Sequence, residues 1–392
     1  MNKEFALRRE KLASILSRKN IDVALIMQNA DMYYYAGTIP SGVLAISKNG
    51  KTLFAIRRGF DRAVFDATLD MEELTKIKGF SELPHLFSEH SIEYKRIGVE
   101  MDVVPADIYF RIAKVFHESE IVDISTDIRF QRSIKSDFEV SQIKEAARLL
   151  DCTMEDAKEI IKVGMREIEI SARLEFRARK RGHQGRSRMR AFNGEMFMGH
   201  VHSGYRSPFP SGYQKPTAGM GMHPSYPEGA SNERIEKNTP IIVDFLSNYH
   251  GYMADETRTF VVGKLDKEFE RAYGFCLELM EWLEENAYPG RVAADLYQQC
   301  VEMAQKAGYG DNFMGVKGNQ TTFVGHGIGL ELDEFPFIAK GQNYPLKPGM
   351  TFAFEPKVSF AGKGSVGIEN TYLVTENGIV SLTRYPREIV RL

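Results

Sequence analysis

The stretch from Val243 to Phe260, VDFLSNYHGYMADETRTF, carries two carboxylates into what reads as a protein interior. The apolar run Pro240-Ile241-Ile242-Val243 has the character of a buried strand and ends on Asp244; Asp255 follows eleven positions later. Between them, Asn248-Tyr249-His250-Gly251 is a cluster of turn formers that folds the chain back as a β-hairpin. Ionised carboxylates in such a setting are costly unless cations pair with them. A fold built on this hairpin therefore has to bring positive charge to it.

With 392 residues the chain exceeds what one hydrophobic core usually supports, so two domains are expected. Hydrophobic residues make up 43% and charged residues 27%, and no apolar run is long enough to span a bilayer, which excludes a membrane-embedded chain. The start, MNKEFALRREKLASIL, mixes charges into an amphipathic pattern and lacks the apolar core of a secretory signal, so a cytoplasmic protein opening on a surface helix is expected. Cys152, Cys276 and Cys300 are widely spaced and odd in number, which argues for buried thiols rather than disulfides. A formal net charge of −2 gives no footprint for nucleic acid. The one basic run, Arg173 to Arg190, reads as a solvated helix face continuing into a loop.

Up to about residue 125, strand-like segments (VALIMQ, GVLAIS, TLFAIR, RIGVEM) alternate with helical patterns, as in an α/β domain, and no Gly-rich phosphate loop follows any of them. At RSIKSDFEVSQIKEAARLL the texture changes to long helices, opened by a capping box of Ser136 and Glu139. The expected division is residues 1–130 and 131–392. From Pro208 to Gly229, five prolines and four glycines in 22 residues predict a long loop. Two long helices and then three strand-like segments complete the second half.

Three more polar residues interrupt apolar segments there: His326 in TTFVGHGIGLELDEFP, Glu355 in PGMTFAFEPKV and Glu369 in SVGIENTYLVT. Singly, each is more often a satisfied core residue than a ligand. Together, Asp244, Asp255, Glu355 and Glu369 sum to a formal charge of −4, which two divalent cations would balance, and His326 adds a neutral imidazole. Oxygen ligands with one nitrogen suit manganese, cobalt, zinc or iron(II).

These motifs resemble the pita-bread metallopeptidases. RSIKSDFEVSQIKEAARL resembles the start of their catalytic domain, VDFLSNYHGYMADETRTFVVG their two-aspartate hairpin, GHGIGLELDEFP their histidine strand, PGMTFAFEPKV their first glutamate and VGIENTYLVTENG their second. The small α/β domain in front is similar to that of the Xaa-Pro aminopeptidase, prolidase and creatinase branch. The resemblance implies a creatinase-like α/β N-terminal domain followed by an α+β pita-bread catalytic domain. It implies two divalent ions, with Asp244 chelating one, Asp255 and Glu369 bridging, His326 completing a shell, and Glu355 both binding metal and relaying a proton. A hydroxide shared by the ions is the implied nucleophile, and a homodimer the implied assembly, the N-terminal domain of one chain partly walling the other's site.

The resemblance is incomplete at the family's accessory histidines, where this chain has Pro227, Thr322 and Asp333. His223 and His202, each beside loop chain, are the expected catalytic substitutes, ahead of His200; His250 and Asp333 are assigned to substrate contact. The expected activity is hydrolysis of peptide bonds by an Xaa-Pro aminopeptidase or dipeptidase. The alternatives are a metal-dependent enzyme acting on a small non-peptide amide or metabolite, and a silent binding module.

Overall fold

The computed structural model describes residues 2–211 and 215–392, so positions 212–214 of the proline- and glycine-rich loop lie outside the described residues. The chain divides into two compact units, Met1–Arg132 and Ser133–Leu392.

The first unit opens on a helix, Asn2–Arg18, whose Phe5, Leu12 and Leu16 are buried. Its six-stranded sheet consists of β1 (Val23–Ile26), β2 (Ser41–Ser47), β3 (Thr52–Arg58), β4 (Leu74–Lys76), β5 (Arg96–Val99) and β6 (Glu120–Asp123) in the order β4-β3-β2-β1-β5-β6. β1 pairs antiparallel with β2 but parallel with β5; a short turn at Lys48–Gly50 joins β2 antiparallel to β3, whereas helical crossovers feed the parallel strands β5 and β6. β1 is buried along its whole length, as a central strand covered on both faces must be.

The second unit opens on Asp137–Ile160, a helix begun by the predicted capping box: Ser136 Oγ accepts from the Glu139 amide at 3.3 Å and Glu139 Oε2 accepts from the Ser136 amide at 3.0 Å. The helix Glu167–Lys180 follows, with Gly182 just beyond it at φ +104°. One sheet has the order β17-β9-β8-β7, formed by β7 (Gly199–Ser203), β8 (Ile241–Tyr249), β9 (Tyr252–Val261) and β17 (Val390–Arg391). A second runs β11-β10-β12-β15-β16, from β10 (Phe323–Ile328), β11 (Leu332–Ala339), β12 (Thr351–Phe354), β15 (Asn370–Thr375) and β16 (Gly378–Ser381). β13 (Lys357–Phe360) and β14 (Gly364–Gly367) form a separate hairpin between β12 and β15. Helices Lys267–Asn286 and Ala293–Lys306 pack their apolar faces into the core of this unit, beside Phe352, Phe354 and Tyr372.

The C-terminal part therefore holds eight strands, β10 to β17, where the pattern suggests three segments. Several of them have only four residues, too few to display a period of two. No described helix is long and apolar enough to cross a membrane.

Candidate metal centre

The hairpin is β8 and β9, closed by His250 and Gly251 with φ of +50° and +90°, the two-residue left-handed turn that strand twist favours. Its register sets the chemistry. Asp244 lies opposite Thr257 and Leu246 opposite Asp255, so both aspartates project from one face as diagonal neighbours. β7 adds His200 opposite Asp244 on that same face. The second sheet is tied to the hairpin at Thr371, whose Oγ1 accepts from the Asp255 amide and donates to its carbonyl, both at 2.9 Å. Thr257 pairs with Glu369 and donates its hydroxyl to Oε2 at 2.7 Å.

Asp244, Asp255, His326, Glu355 and Glu369 all line one cavity of about 50 Å³. Ligand atoms of Asp255, His326 and Glu369 all lie within 4.8 Å of one another. His326 Nε2 is 3.9 Å from Asp255 Oδ2, 3.6 Å from Glu355 Oε1 and 3.7 Å from Glu369 Oε1. Asp255 Oδ1 and Glu369 Oε1 are buried with no hydrogen-bond partner among the described residues. Buried orphaned carboxylate oxygens on two residues that both approach an imidazole fit a divalent cation of the manganese, cobalt, zinc or iron class.

Lys357 was not anticipated. It begins β13, is 1% exposed, and its Nζ lies 2.5 Å from Glu355 Oε2, 3.1 Å from Asp244 Oδ2 and 3.3 Å from Glu369 Oε2. The balance drawn from the four carboxylates alone omitted this charge. The signal was a lysine two residues after Glu355 in FEPKVSF, between Phe354 and Phe360.

The electrostatics follow from burial. Burial lowers the Lys357 ammonium, but Asp244, Glu355 and Glu369 outweigh it and hold the group well above the ordinary lysine value. Asp255 is pushed well above the carboxylate range by burial and by Glu369 and Asp244. Burial likewise raises Glu355, to about 7, against the pull of Lys357. Burial alone would lower His326, yet Glu369, Asp333 and Glu355 raise it to about 10.

An imidazole must release its proton before it binds a cation. Protons therefore compete with the ion below about pH 10, those on Asp255 and Glu355 adding to the one on His326, and divalent-ion affinity should rise with pH, by at least about tenfold per unit between roughly pH 6 and 9. Calorimetric titration with Mn²⁺ in buffers of different ionisation enthalpy would read both the affinity and the released proton. A flat affinity across that range would remove His326 from the ligand set.

The remaining expected residues separate. Asp333 lines the cavity, its Oδ1 3.7 Å from His326 Nδ1. His202 is fully buried on β7 and its Nδ1 lies 2.6 Å from Ser207 Oγ; it is not on the cavity wall. His223 is exposed, its Nδ1 accepting from the Ser225 amide at 3.2 Å, and it too is absent from the wall. His250 is exposed at the hairpin tip, 2.9 Å from Gln142 Oε1. The histidine that does line the cavity is His200, because strand pairing fixes it opposite Asp244, whereas loop position fixed nothing for His223. Its Nε2 is 3.4 Å from Lys215 Nζ, and Lys215 pairs with Glu228 at 2.8 Å. Burial and then Lys215 keep His200 well below the usual histidine value, hence neutral. Pro227 and Thr322 are exposed.

Residues 141–376 match metallopeptidase family M24, and residues 8–134 match the creatinase/prolidase N-terminal domain. The chain belongs to metallopeptidase family M24. This M24 chain is accordingly a metal-dependent hydrolase of the peptidase class, with a creatinase/prolidase N-terminal domain in front of its M24 catalytic domain. It is 28% identical over 384 residues to the Xaa-Pro dipeptidase of Pyrococcus horikoshii, covering 97% of this chain and 98% of that one. The solved prolidase from Pyrococcus horikoshii OT3 superposes with a TM-score of 0.82 at 26% identity, covering 98% of this chain and 99% of that one. The Xaa-Pro dipeptidase from Bacillus anthracis gives 0.83 at 27%, covering 99% of this chain and all (100%) of the other.

Proposed function

We propose that this chain cleaves the peptide bond preceding proline, as a dipeptidase or aminopeptidase, using a divalent ion held by Asp255, His326 and Glu369. The observation that carries this reading is the cluster of those three residues on the cavity wall, with Glu355 beside them. A bound divalent ion supplies Lewis acidity toward the scissile carbonyl and lowers the pKa of water near it. Glu355, raised to about 7, suits proton exchange through Oε1, the oxygen on the His326 side. Asp333, 3.7 Å from His326 Nδ1, places a carboxylate at the cavity, suited to the free ammonium of a short peptide. Neutral His200 accepts from the Lys215 ammonium through Nε2 and so positions that ammonium on the cavity lining, where it offers a donor to the oxyanion that develops on the carbonyl.

Asp333 and Lys215 on one wall give the second reading its basis, since they match a small amide carrying both charges. The further expectations, a homodimer and a cytoplasmic location, belong to the same proposal, and light scattering at low micromolar concentration reads the first.

The deciding experiment assays Xaa-Pro dipeptides, longer Xaa-Pro peptides and small amides, before and after chelation and reloading. His200→Ala should lower kcat by about 10²-fold, whereas His223→Ala should leave turnover nearly unchanged. Metal-reversible cleavage of amides alone would favour the second reading. No metal-dependent cleavage of any peptide would overturn the first.

A further inference from the structure

The carboxylate oxygens of the centre sort into two half-sites. Glu355 and Glu369 each turn Oε1 toward His326 and Oε2 toward Lys357. Asp255 belongs to the His326 side and Asp244 to the Lys357 side. An ammonium has three N–H donors and no acceptor, and Lys357 Nζ has three carboxylate oxygens at 2.5, 3.1 and 3.3 Å. That half-site is saturated. A divalent ion in it would need the same oxygens at about 2.0–2.2 Å, in the volume that Nζ fills.

The stem of Lys357 has a prepared seat. Lys357 pairs with Gly367 across β13 and β14, and a Cβ at 367 would come within 2.4 Å of Lys357 Cγ. Only glycine leaves room for the chain to run inward. The same side chain is 2% exposed, so no solvent route relieves its charge if it leaves the carboxylates.

We propose that the Lys357 ammonium is the resident cation of the Asp244 half-site, so that the chain binds a single divalent ion, on the Asp255, His326, Glu355 Oε1 and Glu369 Oε1 side. This rests on the metal-dependent reading above. Lys357 is then a positioning residue: it fixes the two shared glutamates and supplies positive charge, but it cannot polarise a carbonyl or acidify water as a second ion would. The four carboxylates and the ammonium sum to a formal charge of −3, which one divalent ion reduces to −1.

The test is ion stoichiometry on the full chain, stripped with chelator and titrated with Mn²⁺, read by elemental analysis and by electron paramagnetic resonance. The wild type should hold about one ion and give an uncoupled signal, while Lys357→Gly should hold about two and give the spin-coupled signal of a two-metal site. Lys357→Arg should remain at about one. Gly367→Ala, which displaces the stem while keeping the charge in the sequence, should admit a second ion in part. Circular dichroism and melting curves establish that each variant is folded. Two tightly held ions in the wild type would overturn the inference and leave the metal-dependent reading intact; so would a folded Lys357→Gly that stays at one. A wild type that binds none would instead overturn the metal-dependent reading itself.

Discussion

Asp255→Ala is expected to lower hydrolysis by about 10³-fold or more, the loss of roughly 4 kcal/mol of transition-state stabilisation, and to abolish tight ion binding without unfolding the chain. Asp255 sits on a strand buried from end to end, and the backbone bonds that hold it there, to Thr371, involve its amide and carbonyl rather than its carboxylate. The carboxylate is a burden on the fold in the absence of a cation. Burial, Glu369 and Asp244 raise its pKa, and a carboxyl with a raised folded pKa opposes folding once it ionises above its ordinary value. Alanine removes that burden, so the chelated variant should melt no lower than the chelated wild type at pH 7.

The ion's own contribution should disappear as well. Saturating Mn²⁺ at a hundred times Kd stabilises a folded protein by about 2.7 kcal/mol, and this increment should be seen in wild type and not in Asp255→Ala. Calorimetry with and without chelator checks both halves. Undiminished ion content in the variant would show that the ligand set is elsewhere.

How far the site could be read from the sequence depended on what held each residue. Asp244, Asp255, His326, Glu355 and Glu369 interrupt apolar strands, so their conflict with the local pattern marked them, and the structure brings all five to one cavity. The hairpin was legible because its turn residues and its register are both local. Lys357 was not, because a lysine at a strand start is ordinarily solvated, and its burial depends on Gly367 ten positions onward and on Asp244 and Glu369 from two other segments, besides Glu355 two residues before it. A charge balance restricted to acids leaves this ammonium out, whereas one that asks where every nearby cation goes includes it. His200 against His223 follows the same logic: proximity of a loop suggested reach, but strand pairing with Asp244 decided position. The hairpin of β13 and β14, which carries Lys357, has strands of only four residues each, too short to show a strand period.

Arg258→Ala should lower stability by about 2–6 kcal/mol, roughly the cost of two buried acceptors losing their donor, the largest loss expected from any change away from the ion. Arg258 is fully buried, next along β9 from Thr257, and its guanidinium donates to the carbonyls of Thr257, Glu369, Tyr385 and Pro386 and to Oδ1 of Asn370, at 2.7 to 2.9 Å. Glu256 lies 2.8 Å away, but burial pushes its carboxyl up to about 8, so at neutral pH a charged pair is not what anchors the arginine. The carbonyls are. Alanine would leave the Glu369 carbonyl and Asn370 Oδ1, both on buried residues, without this donor, each a cost of about 1–3 kcal/mol when unrelieved, while the Thr257 carbonyl keeps the Glu369 amide at 3.1 Å. Because one of them belongs to Glu369, the same change should loosen a residue of the metal centre. Arg258→Lys should restore little, since an ammonium cannot reproduce a planar fork reaching oxygens on separate segments. Urea titration at pH 7 measures the loss, and ion affinity at low denaturant measures its effect on Glu369. Near wild-type stability in Arg258→Lys would mean that buried positive charge, rather than the geometry of the fork, joins the C-terminal segment to the hairpin.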